Sequence, residues 1–278
     1  MNLTDAADID KLIAIDLDGT LITDEDVISD DNIAAIHRAG RHGAAVIIVT
    51  GRPYVSADAV ASRVGLPPVP LVSFNGAMIR WSRGGKQLTN TCLAADVAEE
   101  IVDQCLRQGL HLQYYLDDQM YVSQDNEQVR RYCQRNGMQS IEEPDLRRFA
   151  GQQPLKLLVI DHATRIGPLL DDARQRWDDR IYVTRSMPEY LEFLSPQASK
   201  GRALDWLLEF FDLPRERSLA IGDAMNDLPL LQHAGVPVAM PHADEDLKRI
   251  AHFIPASIEN GVAEAIDWFL GRIIGVRS

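Results

Sequence analysis

The stretch Ile13-Ala-Ile-Asp16-Leu-Asp18-Gly19-Thr20-Leu21 decides how this chain is read. An apolar run ends there in two carboxylates one residue apart, followed at once by Gly-Thr. Acidic residues are poor strand formers, and two of them at a buried strand end repel each other. Either they are solvated turn residues, or something cationic belongs between them.

Working outward, short apolar runs alternate with helical patterns, as in βαβ units around a parallel sheet. Leu12–Ile15, Ala44–Val49, Leu71–Phe74, Leu219–Ile221 and Val236–Met240 are predicted as buried strands, each ended by Gly, Asn, Asp or Thr. Helices are predicted near Asp31–Gly43, Pro53–Val64, Lys200–Phe211, Leu228–Ala234 and Val262–Ile273. The middle has a different texture. After an exposed turn at Trp81-Ser-Arg-Gly-Gly-Lys86 come strand candidates (Leu110–Leu116, Met120–Ser123, Leu155–Ile160, Ile181–Thr184, Tyr190–Leu194) mixed with helices (Ala94–Gln108, Gln128–Asn136, Ala163–Trp177). The expected architecture is α/β: a doubly wound, Rossmann-like parallel sheet formed by residues 1–83 and 194–278, with an α+β module inserted at 84–193.

In 278 residues there is room for a substantial core, and 46% hydrophobic with 25% charged residues is ordinary for a soluble globular protein. No apolar segment approaches the roughly 20 residues that span a bilayer. The N-terminal Met-Asn-Leu-Thr-Asp-Ala-Ala-Asp carries acid where a secretory leader carries base, so a cytoplasmic protein without membrane association is expected. Cys92, Cys105 and Cys133 form no CxxC pair and read as reduced packing residues. A net charge of −13 argues against nucleic acid as partner. It leaves room for a small anionic substrate, since a divalent cation and a lysine or two reverse the sign locally. Oligomeric state is not legible.

In open parallel sheets ligands bind beyond the carboxyl ends of the strands. The residues there form one chemical set: Asp16 and Asp18, then Thr50-Gly51-Arg52, Asn75-Gly76, and Gly222-Asp223-Ala-Met-Asn226-Asp227, with Ser199-Lys200-Gly201 before a helix. Mg²⁺ takes one or two carboxylates plus water and substrate phosphate, which Asp16 and Asp223 suit. Thr50 and the Gly51 N–H, at a helix start, suit an anion, and Lys200 adds a point charge. A carboxylate against a polarised phosphorus is a nucleophile, and a second carboxyl serves as acid and base. Residues two apart on a strand share a face, so Asp16 and Asp18 are expected to face the same centre if extended geometry persists past the strand.

These motifs, in this order, resemble the haloacid dehalogenase superfamily. With Leu191-Glu-Phe-Leu-Ser-Pro-Gln-Ala-Ser-Lys-Gly201 and Asn260-Gly-Val262 they are similar to its Cof-like branch of sugar-phosphate and small-metabolite phosphatases. The resemblance implies a Mg²⁺-dependent phosphatase acting through an aspartyl-phosphate, with Asp16 as nucleophile and metal ligand. Asp18 would be the general acid/base, its carbonyl also on the metal, and Asp223 would complete the metal site. Leu17, Thr50, Gly51, Lys200 and Asn226 would hold the phosphoryl group, and Asp227 would support Lys200 or the metal shell. The inserted module would be a cap that shapes selectivity. Pro241-His242-Ala243 departs from the Gly-Asn-Ala of many relatives, and His242 reads as a surface-turn histidine.

Other residues have plainer readings. Arg52 serves equally as a structural ion pair or a substrate contact. Asp117-Asp118 is a hairpin turn, Tyr114, Tyr115 and Tyr121 are packing of the module, and Trp206, Phe210 and Phe211 are core. A sugar phosphomutase and a non-catalytic metabolite-binding protein are the rival readings.

Overall fold

A computed structural model describes residues 9–23 and 25–275, so the N-terminal octapeptide weighed above lies outside the described residues. The strands are β1 (Lys11–Ile15), β2 (Ala44–Ile48), β3 (Pro70–Ser73), β4 (Met78–Trp81), β5 (Gln87–Asn90), β6 (Leu112–Leu116), β7 (Gln119–Val122), β8 (Ser140–Glu142), β9 (Lys156–Ile160), β10 (Tyr182–Thr184), β11 (Tyr190–Leu194), β12 (Ser218–Gly222) and β13 (Val236–Ala239). The helices are α1 (Asp30–Arg41), α2 (Tyr54–Arg63), α3 (Ala95–Arg107), α4 (Glu127–Asn136), α5 (Ala163–Trp177), α6 (Lys200–Phe210), α7 (Leu228–His233), α8 (Glu245–Ile250) and α9 (Gly261–Gly275).

The central sheet is parallel, in the order β13-β12-β1-β2. All five residues of β1, of β2 and of β12 are buried, which is why these runs are apolar rather than alternating beyond Lys11 and Ser218 at the first positions of β1 and β12. A parallel bridge between Val49 and Val72 adds β3 beside β2, and β4 and β5 continue from it antiparallel. The chain winds one way from β1 to β2 and the other way from β12 to β13. Right-handed crossovers therefore put α1 and α7 on opposite faces, where α1 packs with α9 and α6 with α7. The reversal falls between β1 and β12, the place where such folds bind ligands. Asp16 follows β1 and Asp223 follows β12.

The middle segment forms a six-stranded sheet, β10-β11-β9-β6-β7-β8, antiparallel except for β7 with β8. Alternation splits it into two faces. Leu112, Tyr114, Leu157, Val159, Leu191 and Phe193 face α3 and α5 in a core of their own. Tyr115, Leu158, Ile160 and Leu194 join the core of the parallel sheet. Lys156 and Glu192 fall, by the same alternation, on this second face.

Two strands, β4 and β5, form the hairpin around the expected 81–86 turn, and β8 and α8 appear where no pattern announced them. Asp117, left-handed at φ 53°, turns β6 into β7 as expected, and the three cysteines are free. The Trp206 cluster is only partly core. Phe211 is buried, but Phe210 is 42% exposed and stacks on Trp206 with ring centroids 5.1 Å apart. The two lie one turn apart on α6: Trp206 is partly buried against the core, as expected, while Phe210 lies over Trp206 and Phe211 at its edge. Among the described residues no helix is long and apolar enough to cross a membrane.

Candidate active site

The chain leaves β1 with its polar end at the sheet edge. Leu17 is fully buried in the core, so only its backbone could meet a ligand. Gly19 sits at φ 80°, and a Cβ there would collide with the Asp223 carboxylate, so glycine both permits the turn and admits Asp223. The Thr20 hydroxyl donates to Asp223 Oδ1 at 2.7 Å and fixes that carboxylate beside β1. Asp227 reaches back to accept from the backbone N–H groups of Asp223 and Ala224, at 3.1 and 3.2 Å. Gly222 leaves the space for that side chain.

Lys200 opens α6 behind the Ser199 N-cap, where the helix dipole disfavours a cation. Two carboxylates overcome this. The ammonium, fully buried, donates to Asp16 at 2.6 Å and to Asp227 at 2.5 Å. Burial alone would push Lys200 down, but the charges of Asp16 and Asp227 hold it well above its ordinary value. The carboxylates are in excess. Burial and the neighbouring Asp227 push Asp16 up, and they push Asp223 up to about 7.

A divalent cation fits this arrangement. Oxygens of Asp16, Asp223 and Asp227 lie within 4.8 Å of one another, and one lysine does not balance three carboxylates. Asn226 is buried nearby with its Oδ1 unpartnered, an acceptor with nothing to accept from. Hard cations take such oxygen sets.

Asp18 is placed differently. Its carboxylate turns away from this cluster to Arg52, with Nε at 2.9 Å and Nη2 at 2.6 Å, and to Arg135 Nη2 at 2.8 Å. Burial would raise its pKa, but the hydrogen bonds and charge of Arg52, with Arg135 behind, lower it. Of the two readings of Arg52, the structure supplies the ion pair. Arg135 comes from the last turn of α4, which Gly137 ends in a left-handed cap, so the inserted module contributes to the site.

Thr50 is wholly buried beside β3, its hydroxyl accepting from the Arg52 N–H at 3.1 Å. The Gly51 carbonyl accepts from Lys156 at 3.0 Å, and Lys156 pairs with Glu192 at 3.1 Å. Glu192 also accepts from Asn75 Nδ2 at 2.7 Å and from the Ser186 hydroxyl. Asn75 in turn accepts from Asn226 Nδ2 at 2.9 Å. A polar chain thus runs from the Thr50 loop through the module to Asn226. His242, expected only as a surface turn, is exposed but has Nε2 3.8 Å from Asp223 Oδ2.

One cavity is walled by Asp16, Asp18, Gly51, Lys156 and Asn226 together with Tyr132 and Arg135. Lys200 and Asp227 lie buried behind Asp16. Sequence reasoning missed Thr20, Arg135, Lys156, Ser186 and Glu192. Two of these left a trace: an ionisable residue inside a buried run, in Lys-Leu-Leu-Val-Ile and in Tyr-Leu-Glu-Phe-Leu, calls for a partner.

The sequence model of the haloacid dehalogenase-like hydrolases matches residues 13–266. A 5-amino-6-(5-phospho-D-ribitylamino)uracil phosphatase of Bacillus subtilis is 30% identical, over 94% of this chain and 98% of its own. An HMP-PP phosphatase of Serratia proteamaculans is 29% identical, over 86% of this chain and 87% of its own. The crystal structure of a haloacid dehalogenase-like hydrolase from Bacteroides thetaiotaomicron superposes with TM-score 0.81 at 28% identity, covering 93% of this chain and 99% of that one.

Proposed function

The chain belongs to the haloacid dehalogenase-like hydrolases, and from that premise we propose that it is a Mg²⁺-dependent phosphatase of small phosphorylated metabolites, sugar phosphates or similar phosphomonoesters. The observation that carries this is the switch-point cluster, where Asp16, Asp223 and Asp227 converge around Lys200 with carboxylate charge to spare. Two relatives, a 5-amino-6-(5-phospho-D-ribitylamino)uracil phosphatase and an HMP-PP phosphatase, support the substrate class.

In this reading Asp16, Asp223 and the Asp18 carbonyl would hold the metal, which would supply charge neutralisation at the phosphoryl oxygens. Asp16 attacks phosphorus and the ester oxygen leaves, giving an aspartyl-phosphate. Thr50, the backbone of Leu17 and Gly51, and Asn226 hold the phosphoryl oxygens, while Lys200 keeps Asp16 oriented. Asp18 protonates the departing alkoxide and then takes a proton from the water that hydrolyses the acyl phosphate. Its two arginines favour the ionised form, which suits the base step; for the acid step Arg135 must release it. The inserted module acts as the cap, closing over the reaction to exclude water; its edge falls after β5, later than the expected residue 84, because β5 pairs with β4 rather than with the six-stranded sheet.

The test is phosphate release from p-nitrophenyl phosphate and a panel of phosphorylated metabolites, with and without Mg²⁺. Asp16→Asn should abolish both turnover and the trapped phosphoenzyme, a loss of about 10⁴-fold or more. Substantial turnover in that variant would remove Asp16 as nucleophile.

A further inference from the structure

A second opening, of ≈ 270 Å³, adjoins the cavity at Asp18 and lies between the two modules. The core gives it Asp18, Asp223 and His242; the inserted module gives it Arg135 and the loop that begins at Arg185. Its walls carry three carboxylates, Asp18, Asp223 and Asp244, against two guanidinium groups, Arg135 and Arg185, and one of the two guanidiniums lacks an acceptor. Asp18 already accepts two hydrogen bonds from Arg52, so Arg135 is a second guanidinium on one carboxylate. Asp223 is committed to the acidic cluster at the sheet edge. Arg185, directly after β10, is half-buried and has no ion pair or hydrogen bond among the described residues. Asp244, the remaining carboxylate on the walls, does not pair with it. A half-buried, unpaired guanidinium loses hydration without recovering it from a protein acceptor.

The position of these arginines gives them a meaning. A general acid lies within hydrogen-bond reach of the oxygen it protonates, so Asp18 marks where the leaving oxygen sits. Arg135 Nη2 lies 2.8 Å from Asp18 Oδ1, beside the place where that oxygen would sit, and Arg185 lines the same opening. We propose that Arg135 and Arg185 form an anion subsite for the leaving group, so that the preferred substrates are phosphomonoesters bearing a second anionic group, a carboxylate or another phosphate, a few atoms from the scissile oxygen. This rests on the phosphatase reading. Guanidinium forks match both anions in bidentate fashion.

Matched substrates test it: 3-phosphoglycerate against glycerol 3-phosphate for the carboxylate, and propane-1,3-diol bisphosphate against its monophosphate for the phosphate. The wild-type enzyme should prefer the charged member of at least one pair by about tenfold in kcat/KM, mainly through KM. Arg185→Ala should collapse that ratio to about unity, Arg185→Lys should restore part of it, and added salt should shrink it in the wild type. No preference in either wild-type pair, or a preference that Arg185→Ala leaves intact, overturns the subsite. Calorimetric binding of the same compounds to Asp16→Asn protein reads the subsite without turnover. If the wild type releases no phosphate from any ester, the phosphatase reading fails, and the binding ratio with and without Arg185→Ala still decides the subsite.

Discussion

Lys200 in the core and Lys156 in the inserted module are equally buried, at 0% and 1% exposure, yet their surroundings differ in charge balance. Lys200 donates to Asp16 and Asp227 with Asp223 close by, so its shell carries more negative charge than it can offset. Lys156 meets one carboxylate, Glu192, plus the Gly51 carbonyl, with Phe74 and Tyr115 rings 5.6 and 5.2 Å from its ammonium. That shell is neutral, although Lys156 also lines the cavity at Asp16. Burial of a charge therefore does not by itself mark the chemistry. An unbalanced shell marks a place where a cation and a substrate belong, and a balanced one marks a joint between parts.

The largest expected effect is at Lys200. Lys200→Met should lower kcat by about 10³-fold and, with Asp16 and Asp227 left unpaired, lower stability by about 3–5 kcal/mol at neutral pH. Steady-state kinetics and urea titration measure the two effects separately. Lys156→Met should cost a similar amount of stability, because Glu192 is stranded, but should lower kcat only about tenfold in the protein that folds. Adding Glu192→Gln to Lys156→Met should recover most of the stability, since the amide keeps neutral hydrogen-bond partners in Asn75 and Ser186. If Lys156→Met instead removes turnover as completely as Lys200→Met, Lys156 touches substrate and the contrast breaks.

The smallest effect sharpens the same contrast through pH. Burial and Asp227 raise Asp223 from 3.8 to about 7, so the folded, metal-free protein binds a proton that the unfolded chain has released. Stability from this group is complete below the unfolded value and is lost as pH rises through about 7. Urea midpoints between pH 5 and 8, without metal, should therefore fall with pH, and Asp223→Asn should flatten the slope. Mg²⁺ should oppose the fall by favouring the ionised cluster. A slope unchanged in Asp223→Asn would place the titrating group elsewhere.

The core half was legible because its signals are local. Asp16 to Thr20 sit on one turn, Asp223 and Asp227 are four residues apart, and fully buried parallel strands spell themselves as apolar runs. Phe210 misled because helical spacing places a residue on a face without saying whether anything covers it. His242 and Asp223 are far apart in the chain, and only the close approach of two loops brings them within 3.8 Å.

Sequence alone determined the α/β class, from periodicity, and it led to the expectation that Asp16, Asp18, Lys200, Asp223 and Asp227 form one set, from the strand-end positions, the order of the motifs and their family resemblance. Tertiary structure decided what the residues face: that Asp18 is claimed by Arg52 and Arg135, that Thr20 holds Asp223, and that Lys156 and Glu192 join the module to the Thr50 loop. Those pairings cross as many as 203 residues of chain. Short-range pattern fixes which way a side chain points along its own element. Its partner is set by how sheets and helices pack, which local pattern does not encode.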